Sequence, residues 1–181
     1  MYQAKEDSYF LAEQLAESLN SLTEKEKSRL KVLDLGTGSN IQAETLFNKG
    51  IKKENILCSD IDKEVIILTN KKGFKAVNSN LFSNIKSKFD LIIFNPPYLP
   101  ENKYDKQKDT AGGKQGDETI LSFLRQLKKH LTKKGKAFLL LSSLTPKSRI
   151  NKEIKKQKLK IKLIASKNIF FEQLEVFIIS F

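Results

Sequence analysis

The sequence predicts a three-layer α/β fold, in which helices cover both faces of a mostly parallel β-sheet. Two observations lead to this prediction. Short apolar runs alternate along the chain with segments of helical spacing, and these runs are continuously apolar instead of alternating with polar residues. Strands of that kind are buried on both faces, as happens when a parallel sheet lies between two layers of helices.

The helical segments have apolar residues three or four positions apart and polar residues suited to their ends. The leading helix, 7–19, has such an apolar face, and either Asp7 or Ser8 is placed to cap its first turn. The helix at 120–131 is expected to end near 133–135, where two lysines and a glycine are typical of a helix C-terminus. The other helices are predicted at 41–48, 63–71 and 146–157.

The apolar runs give seven strands, of which the last two form a closing hairpin. The strands are predicted at 31–35, 55–59, 75–78, 89–94, 137–142, 159–165 and 173–180. A polar, glycine-containing stretch that continues to Gly116 follows the fourth strand and is long enough to be a functional loop. No repeat or linker interrupts the pattern, so we expect one domain over 1–181, large enough to be stable without disulfides or metals.

Composition excludes several kinds of chemistry. Cys58 is the only cysteine and His130 the only histidine, which argues against a disulfide, a Cys/His zinc cluster and a His-activated nucleophile. The net charge of +12 favours an acidic or nucleic-acid partner, but the lysines are spread along the whole chain instead of forming one tract. With neither a leader pattern nor an apolar run of about 20 residues, we expect a cytoplasmic protein.

The turn after the first strand is a candidate nucleotide loop. Asp34-Leu35-Gly36-Thr37-Gly38-Ser39 lies at the carboxyl end of that strand, where α/β sheets bind ligands. Its glycines allow positive φ and close approach of a ligand, and the next helix offers free N–H groups. Asp60, about 20 residues further on, ends the second strand and can accept both hydroxyls of a ribose. Asp60 or Asp62 can alternatively cap the next helix, and these features alone do not separate a nicotinamide cofactor from S-adenosylmethionine.

Asn95-Pro96-Pro97-Tyr98 follows the fourth strand and is the most specific feature of the sequence. Its two prolines exclude helix or further strand and make the local carbonyls rigid acceptors. If the Asn95 side-chain oxygen and the Pro96 carbonyl each accept a hydrogen of an amide or amino group, that nitrogen is oriented and becomes more electron-rich. Tyr98 can pack on the planar substrate. This arrangement predicts methyl transfer to a planar nitrogen, by proximity and orientation and without a metal.

Together these motifs resemble those of class I S-adenosylmethionine-dependent methyltransferases. The resemblance is greatest to the short archaeal and eukaryotic branch of the HemK-type release-factor glutamine methyltransferases. It is carried, besides the motifs above, by Tyr2, Glu6-Asp7-Ser8-Tyr9-Phe10-Leu11, Ala111-Gly112-Gly113 with Gly116, and Glu172-Gln173-Leu174-Glu175-Val176. It implies a Rossmann-like class I methyltransferase fold with a seven-stranded sheet and a C-terminal antiparallel hairpin.

The resemblance also implies roles for individual residues. Those implied to bind S-adenosyl-L-methionine are Ser8, Asp34, Gly36, Gly38, Asp60, Asn80, Leu81 and Asn95, and those implied to act on the substrate amide are Asn95, Pro96 and Tyr98. Three positions depart from the family pattern: Asn40 stands where a third loop glycine is usual, Ala4 where a proline is usual, and Asn80 where an aspartate commonly receives the adenine amino group.

The resemblance further implies two protein partners. The substrate would be the glutamine of a Gly-Gly-Gln loop in a class I translation termination factor, and the subunit would work with a small zinc-binding activator protein. The activator would add to the sheet edge around 75–77, beside Phe74 and Ile61.

Two alternative functions remain open at this stage. A nucleic-acid methyltransferase acting on adenine or guanine amino nitrogens uses the same tetrapeptide chemistry, and the basic charge favours it. Such enzymes usually add a recognition domain or a long insertion, and the stretch after Tyr98 is the only long loop, so protein glutamine is favoured. A non-enzymatic binding or scaffold subunit is the third class, against which the intact tetrapeptide argues.

Overall fold

The computed structural model describes residues 5–97 and 116–181 of the chain. Its helices are α1 (Glu6–Leu19), α2 (Glu24–Lys27), α3 (Ile41–Asn48), α4 (Lys63–Lys71), α5 (Glu118–His130) and α6 (Lys147–Lys156), with one 3-10 turn at Lys53–Asn55. Its strands are β1 (Val32–Leu35), β2 (Ile56–Asp60), β3 (Lys75–Asn78), β4 (Phe89–Phe94), β5 (Leu131–Ser142), β6 (Lys160–Ile169) and β7 (Glu172–Ser180).

These strands form one seven-stranded sheet in the order β3-β2-β1-β4-β5-β7-β6. The pairs from β3 through to β5 are parallel, whereas β7 runs antiparallel to both of its neighbours. The predicted mostly parallel sheet with a C-terminal antiparallel hairpin is therefore confirmed. Because the chain order reverses between β1 and β4, the loops that follow these two strands open on a crevice where α/β sheets bind ligands.

Alternate residues of each central strand enter two separate cores, as continuous apolar strands require. In β4, Ile92 and Phe94 pack with α5 and α6, whereas Leu91 and Ile93 pack with α1 and α3. Helix α4 packs against β2 and β3 near one edge of the sheet. Helices thus cover both faces, and the three-layer prediction holds.

The first turn of α1 is not capped as predicted. Lys5 is the N-cap residue and makes no side-chain cap hydrogen bond. Asp7 and Ser8 are buried instead, with relative exposures of 7% and 3%. Because these side chains point into the protein, they do not cap the exposed end of the helix.

The end of α5 is the clearest error in the predicted boundaries. The helix ends at His130, and β5 begins at once with Leu131, so the basic residues and glycine of 133–135 lie in the strand. The β4–β5 register jumps there, from Phe89 opposite Leu131 to Leu91 opposite Lys136. Pairing with β4, which is distant in sequence, therefore overrides a local helix-ending signal.

Helix α2 was not predicted, although the sequence carries its signal. Thr23 accepts a hydrogen bond from the Glu26 N–H, and the Glu26 carboxylate accepts from the Thr23 N–H, which is a complete capping box. A Ser/Thr-x-x-Glu pattern identifies such a start even for a helix of one turn.

Cys58 and His130, each the only residue of its type, fill structural positions. Cys58 is buried in the core, and burial raises the pKa of its thiol above the ordinary value. His130 ends α5 with its ring stacked on Phe82 at 4.3 Å between centroids. Within the described ranges, no helix combines the length and apolar character needed to cross a bilayer.

Candidate active site

A cavity of about 980 Å³ opens at the carboxyl ends of β1, β2 and β4. This volume lies within the range of small-molecule sites. The described residues that line it include the predicted Ser8, Asp34, Gly36, Gly38, Asp60, Asn80, Leu81, Asn95 and Pro96. Sheet topology therefore brings together residues from five separate parts of the sequence.

The glycine loop wraps one side of the cavity. Gly36 and Gly38 have φ of +70° and +48°, in the left-handed region that favours glycine. At Gly36 the nearest atom to an added Cβ would be 3.7 Å away, so the backbone conformation, not lack of space, requires glycine there. The Gly38 N–H donates to Asp60 Oδ2 at 2.9 Å, which ties the loop to the end of β2.

Asp60 holds the backbone that follows β1 and the backbone that follows β2. Its Oδ1 accepts the Asp62 N–H at 3.0 Å, while Asp62 itself caps α4 by accepting the Glu64 N–H at 2.8 Å. Asp60 thus binds backbone N–H groups while Asp62 caps α4, a division that the sequence allowed. Because a carboxylate has about four acceptor positions, Asp60 retains acceptor capacity towards the cavity.

Asn40, where a third glycine was expected, is suited to its position. It has φ of +70°, a conformation that asparagine tolerates better than most residues. Its side chain is buried and donates to Thr37 Oγ1 at 2.9 Å and to Thr69 Oγ1 at 2.7 Å. Asn40 does not line the cavity, so this departure from the family pattern leaves the cavity wall unchanged.

Asp34 lies beneath the glycine loop and is 2% exposed. Its Oδ2 accepts the Thr37 hydroxyl at 2.5 Å. Burial raises the pKa of Asp34 to about 7, partly offset by hydrogen bonds from Thr37 and the Ala43 N–H, and the charge of Asp60 adds to the rise. Asp34 therefore supports the loop from below.

Asn80 and Leu81 line the cavity beyond β3, at the other side from Asn95. Leu81 has φ of +48°, which is costly for a branched residue and marks a segment held by its surroundings. Ser79 fixes it, since its hydroxyl donates to the Leu81 carbonyl at 2.7 Å. Asn80 is exposed, so its side chain is free to meet a ligand.

Asn95 has a fixed side-chain orientation. Its Nδ2 donates to Asp7 Oδ2 at 3.2 Å and to Ser8 Oγ at 3.4 Å. Its Oδ1 is buried and has no hydrogen-bond partner among the described residues. Pro96 and Pro97 follow it on the cavity wall. Since a buried unpaired acceptor costs about 1–3 kcal/mol, this oxygen is suited to a ligand N–H.

Some predicted residues lie outside the described part of the chain: Tyr2, Ala4, Tyr98 and 111–113. Conversely, two described residues at the site were not singled out from the sequence. Thr37 links Asp34 to Asn40, and Gln42 donates its Nε2 to the Ser8 carbonyl at 2.9 Å. Thr37 lies within the glycine loop and Gln42 follows it, so the polar residues in and just after the loop were the available signal.

A seven-stranded sheet of this order is typical of class I methyltransferases when a glycine loop, an acidic residue at the end of β2 and an Asn-Pro-Pro segment line one cavity. Comparison with known proteins agrees. Residues 8–171 match the family described as "Methyltransferase small domain". The chain belongs to this family, which confirms the predicted enzyme class and its S-adenosylmethionine cofactor.

Two relatives within this broad family are named as glutamine methyltransferases. The chain is 32% identical to a protein of Methanocaldococcus jannaschii named as a candidate protein N5-glutamine methyltransferase, over 97% of this chain and 89% of that one. It is also 32% identical to the release factor glutamine methyltransferase of Lactococcus lactis, over 70% of this chain and 52% of that one. The chain thus spans about half the length of this bacterial relative.

A solved structure shares the whole fold. The E. cuniculi Mtq2-Trm112 complex, described as responsible for the methylation of the eRF1 translation termination factor, superposes with a TM-score of 0.76 at 22% identity. The match covers 99% of this chain and 97% of that one.

Proposed function

We propose that the protein transfers a methyl group from S-adenosylmethionine to the side-chain amide nitrogen of glutamine in the Gly-Gly-Gln motif of a class I release factor. The family supports the reaction class. The names of the archaeal and bacterial relatives support glutamine as the acceptor. The name of the superposed structure supports a termination factor as the substrate.

The observation that carries the proposal is the unpartnered Oδ1 of Asn95. A glutamine side chain ends in an NH₂ group with two donors, so it can satisfy this buried acceptor and still present a hydrogen to the Pro96 carbonyl. A carboxylate or an ether oxygen has no hydrogen to donate. The acceptor therefore selects a substrate with N–H or O–H groups, and two rigid acceptors together favour NH₂.

The cavity residues suit the proposed cofactor. Asp60 has acceptor capacity for the two ribose hydroxyls, and Gly36 and Gly38 allow the backbone to approach the amino-acid part closely. Exposed Asn80 and strained Leu81 would contact the adenine. When bound, S-adenosylmethionine supplies an electrophilic methyl group on a positively charged sulfur.

The chain's own groups orient and activate the nucleophile. By accepting one amide hydrogen, Asn95 Oδ1 fixes the plane of the substrate amide and increases the electron density on its nitrogen. The Pro96 carbonyl would accept the second hydrogen from a backbone that two prolines hold rigid. With the cofactor bound, its methyl group would pass to this nitrogen: the nitrogen–carbon bond would form as the sulfur–carbon bond breaks, and one amide hydrogen would leave to water as a proton. Holding the reactants in line supplies most of the acceleration.

The proposal is tested by offering radiolabelled cofactor and three acceptors to the purified chain with its activator: a class I release factor, the same factor with its Gly-Gly-Gln changed to Gly-Gly-Ala, and tRNA. We expect label on the first factor alone. Label that persists on the Gly-Gly-Ala factor, or that appears only on tRNA, would overturn the assignment.

Asn95→Ala separates chemistry from binding in the same assay. We expect it to reduce turnover by about 100-fold or more while leaving the cofactor dissociation constant nearly unchanged in calorimetry. Equal losses of turnover and cofactor affinity would contradict the role of Asn95 Oδ1. Gln126→Ala is a matched control, because Gln126 is a partly buried amide on α5 whose Nε2 donates to Ser122, on the same helix.

We further propose that a small zinc-binding activator adds to the free edge of the sheet at β3. The superposed structure is itself a two-protein complex. Within the described residues no strand pairs with the outer side of β3. An unpaired edge is a ready site for an added strand. Apolar side chains accompany it, since Ile61 is 69% and Ile67 56% exposed.

The predicted contact at Phe74 is not available to such a partner. Phe74 is only 3% exposed and packs edge-on against Phe47 at 6.5 Å between ring centroids. It belongs to the core, so the activator would meet Ile67 on α4, the helix that packs against β3.

Co-purification with a tagged activator tests this edge. We expect Ile67→Glu to lower the recovered complex at least tenfold, because a charge would enter an apolar contact. Leu163→Glu is the matched control, since Leu163 is 47% exposed on β6 at the opposite edge of the sheet. If both variants bind equally well, the partner does not use the β3 edge.

A further inference from the structure

The first turn of α1 lies against Asn95, 88 residues away in the chain. The Asp7 carboxylate is 7% exposed and has a separate role for each oxygen. Oδ1 accepts the Ser8 N–H at 2.6 Å and the Ser8 hydroxyl at 3.3 Å. Oδ2 accepts the Asn95 Nδ2 hydrogen at 3.2 Å. One buried carboxylate therefore connects the backbone of α1 to the amide that faces the substrate.

This contact decides which end of the Asn95 amide faces Asp7. A carboxylate can only accept hydrogen bonds, so it must meet the NH₂ group. Ser8 alone would not determine the orientation of the Asn95 amide, because a hydroxyl both donates and accepts hydrogen bonds. With the NH₂ group held by Asp7, Oδ1 is left without a partner among the described residues and is available to the substrate.

The contact also strengthens the acceptor. A hydrogen bond to an ionised group is stronger than one between neutral groups, and hydrogen bonds in series polarise one another. An acceptor on the N–H side pushes electron density through the amide towards its oxygen, and a carboxylate does so more strongly than a neutral acceptor. The Asn95 oxygen therefore becomes a better acceptor for the substrate N–H.

The segment that carries Asp7 is itself fixed. Buried Gln42, in the helix that follows the glycine loop, donates to the Ser8 carbonyl at 2.9 Å. The apolar face of α1 packs in the same core as β4, the strand that leads into Asn95. The carboxylate is therefore held in place from two sides before any substrate arrives.

We propose that Asp7 is a positioning residue for methyl transfer, which fixes the Asn95 amide with its oxygen towards the substrate and strengthens that oxygen as an acceptor. The inference rests on the proposed function, because it acts through Asn95. It assigns the Glu6-Asp7-Ser8 opening a role in catalysis that is separate from the cofactor binding implied for Ser8.

The test is a double-mutant cycle measured in single-turnover assays with labelled cofactor and the release factor. Asp7→Asn keeps the size of the side chain and can keep the Ser8 backbone bond, but it turns an NH₂ group towards Asn95 and favours the flipped amide. We expect about a 100-fold loss of turnover. Cofactor affinity and the melting temperature should remain near those of the parent chain.

Combining the variants distinguishes positioning from a structural role. In the Asn95→Ala background, Asp7→Asn should cause no further loss, because Asp7 acts through the side chain already removed. Additive losses, or a loss that a lower melting temperature or weaker cofactor binding explains, would overturn the inference. Glu13→Gln, which removes an exposed carboxylate from the same helix, is the control and should retain full turnover.

The cycle also separates the two proposals. If the parent chain transfers no label to the release factor, the proposed function fails. If the parent chain is active and Asn95→Ala keeps full turnover, the role of Asn95 fails and that of Asp7 fails with it. If Asn95→Ala loses turnover but Asp7→Asn does not, the proposed function stands and Asp7 has no positioning role.

Discussion

At the residue scale, Asn40 makes the nucleotide loop possible without a third glycine. Its left-handed backbone is a conformation that alanine adopts only at a cost, and its amide bonds Thr37 and Thr69. We expect Asn40→Ala to lower the free energy of unfolding by about 2–3 kcal/mol, from strain and lost hydrogen bonds. Asn40→Gly should lose less, because glycine removes the strain.

Urea denaturation measures both variants. Asn48→Ala, an exposed position at the end of the same helix, is the control and should change stability by less than about 0.5 kcal/mol. Equal losses for Asn40→Ala and Asn40→Gly would show that the backbone conformation contributes nothing.

Asp34 makes stability depend on pH in an unusual direction. Its pKa is raised from 3.8 to about 7 by burial, so between these pH values the folded chain keeps a proton that the unfolded chain has released. The free energy of unfolding should therefore fall as pH rises through this window, by at most about 1.4 kcal/mol per pH unit, and level off above it.

Asp34→Asn should abolish that slope, because its amide does not titrate while its oxygen can still accept from Thr37. Urea denaturation at several pH values between 4 and 8 compares the two proteins. The variant should gain stability relative to the parent chain as pH rises. Parallel curves would mean that the Asp34 proton is not retained on folding.

Local residue patterns predicted the part of the site that depends on local geometry. The prolines after Asn95 and the glycines after Asp34 restrict their own backbone, so their placement on the cavity wall follows from the strands that precede them. The contact of Asp7 with Asn95 could not be predicted in this way. It joins residues far apart in sequence, and only packing of α1 against the sheet brings them together.

At the element scale, the difference between local geometry and contacts distant in sequence explains which predicted boundaries were right. Helices α3 and α4 and strands β3 and β4 have the predicted limits, because their caps and turns are local. The start of β5 was wrong, because it depends on pairing with β4. The glycine that suggested a helix end, Gly135, instead lets the strand pass close to its neighbour.

Gly135→Ala tests whether β5 needs glycine at this position to pass close to β4. An added Cβ would lie 2.8 Å from the Phe89 carbonyl oxygen and 3.0 Å from the Thr132 nitrogen, and backbone atoms cannot easily move. We expect a loss of about 2–3 kcal/mol in the free energy of unfolding, as for overpacking. Lys134→Ala, at the exposed neighbouring position, should have little effect. A stable Gly135→Ala protein would imply that β5 can shift away from β4.

At the scale of the whole molecule, the charge of +12 says less about function than the cavity does. Positive charge that is spread over the chain attracts polyanions in general and does not indicate a particular partner, and salt screens it. The fold, by contrast, places a carboxylate, a glycine loop and an unpaired amide oxygen around one cavity. A ligand that fills this cavity bridges β1, β2 and β4, so its binding should stabilise the whole sheet.

Thermal unfolding measures that coupling. With free S-adenosylmethionine at about 100 times its dissociation constant, the free energy of unfolding should rise by about 2.7 kcal/mol. For a chain of this length the melting temperature should then rise by roughly 5–10 °C. Asp60→Asn should show a much smaller rise at the same cofactor concentration, because an amide accepts fewer hydrogen bonds from the ribose and the glycine loop together.

Asp90→Asn is the control for lost stability. Asp90 accepts from the Lys31 N–H and the Thr132 hydroxyl near the start of β4, away from the cavity. This variant should melt at a lower temperature without ligand but retain the full rise on adding cofactor. If Asp60→Asn also retains the full rise, Asp60 supports the loop without holding the ribose, and the cofactor must be bound mainly by the backbone of the glycine loop.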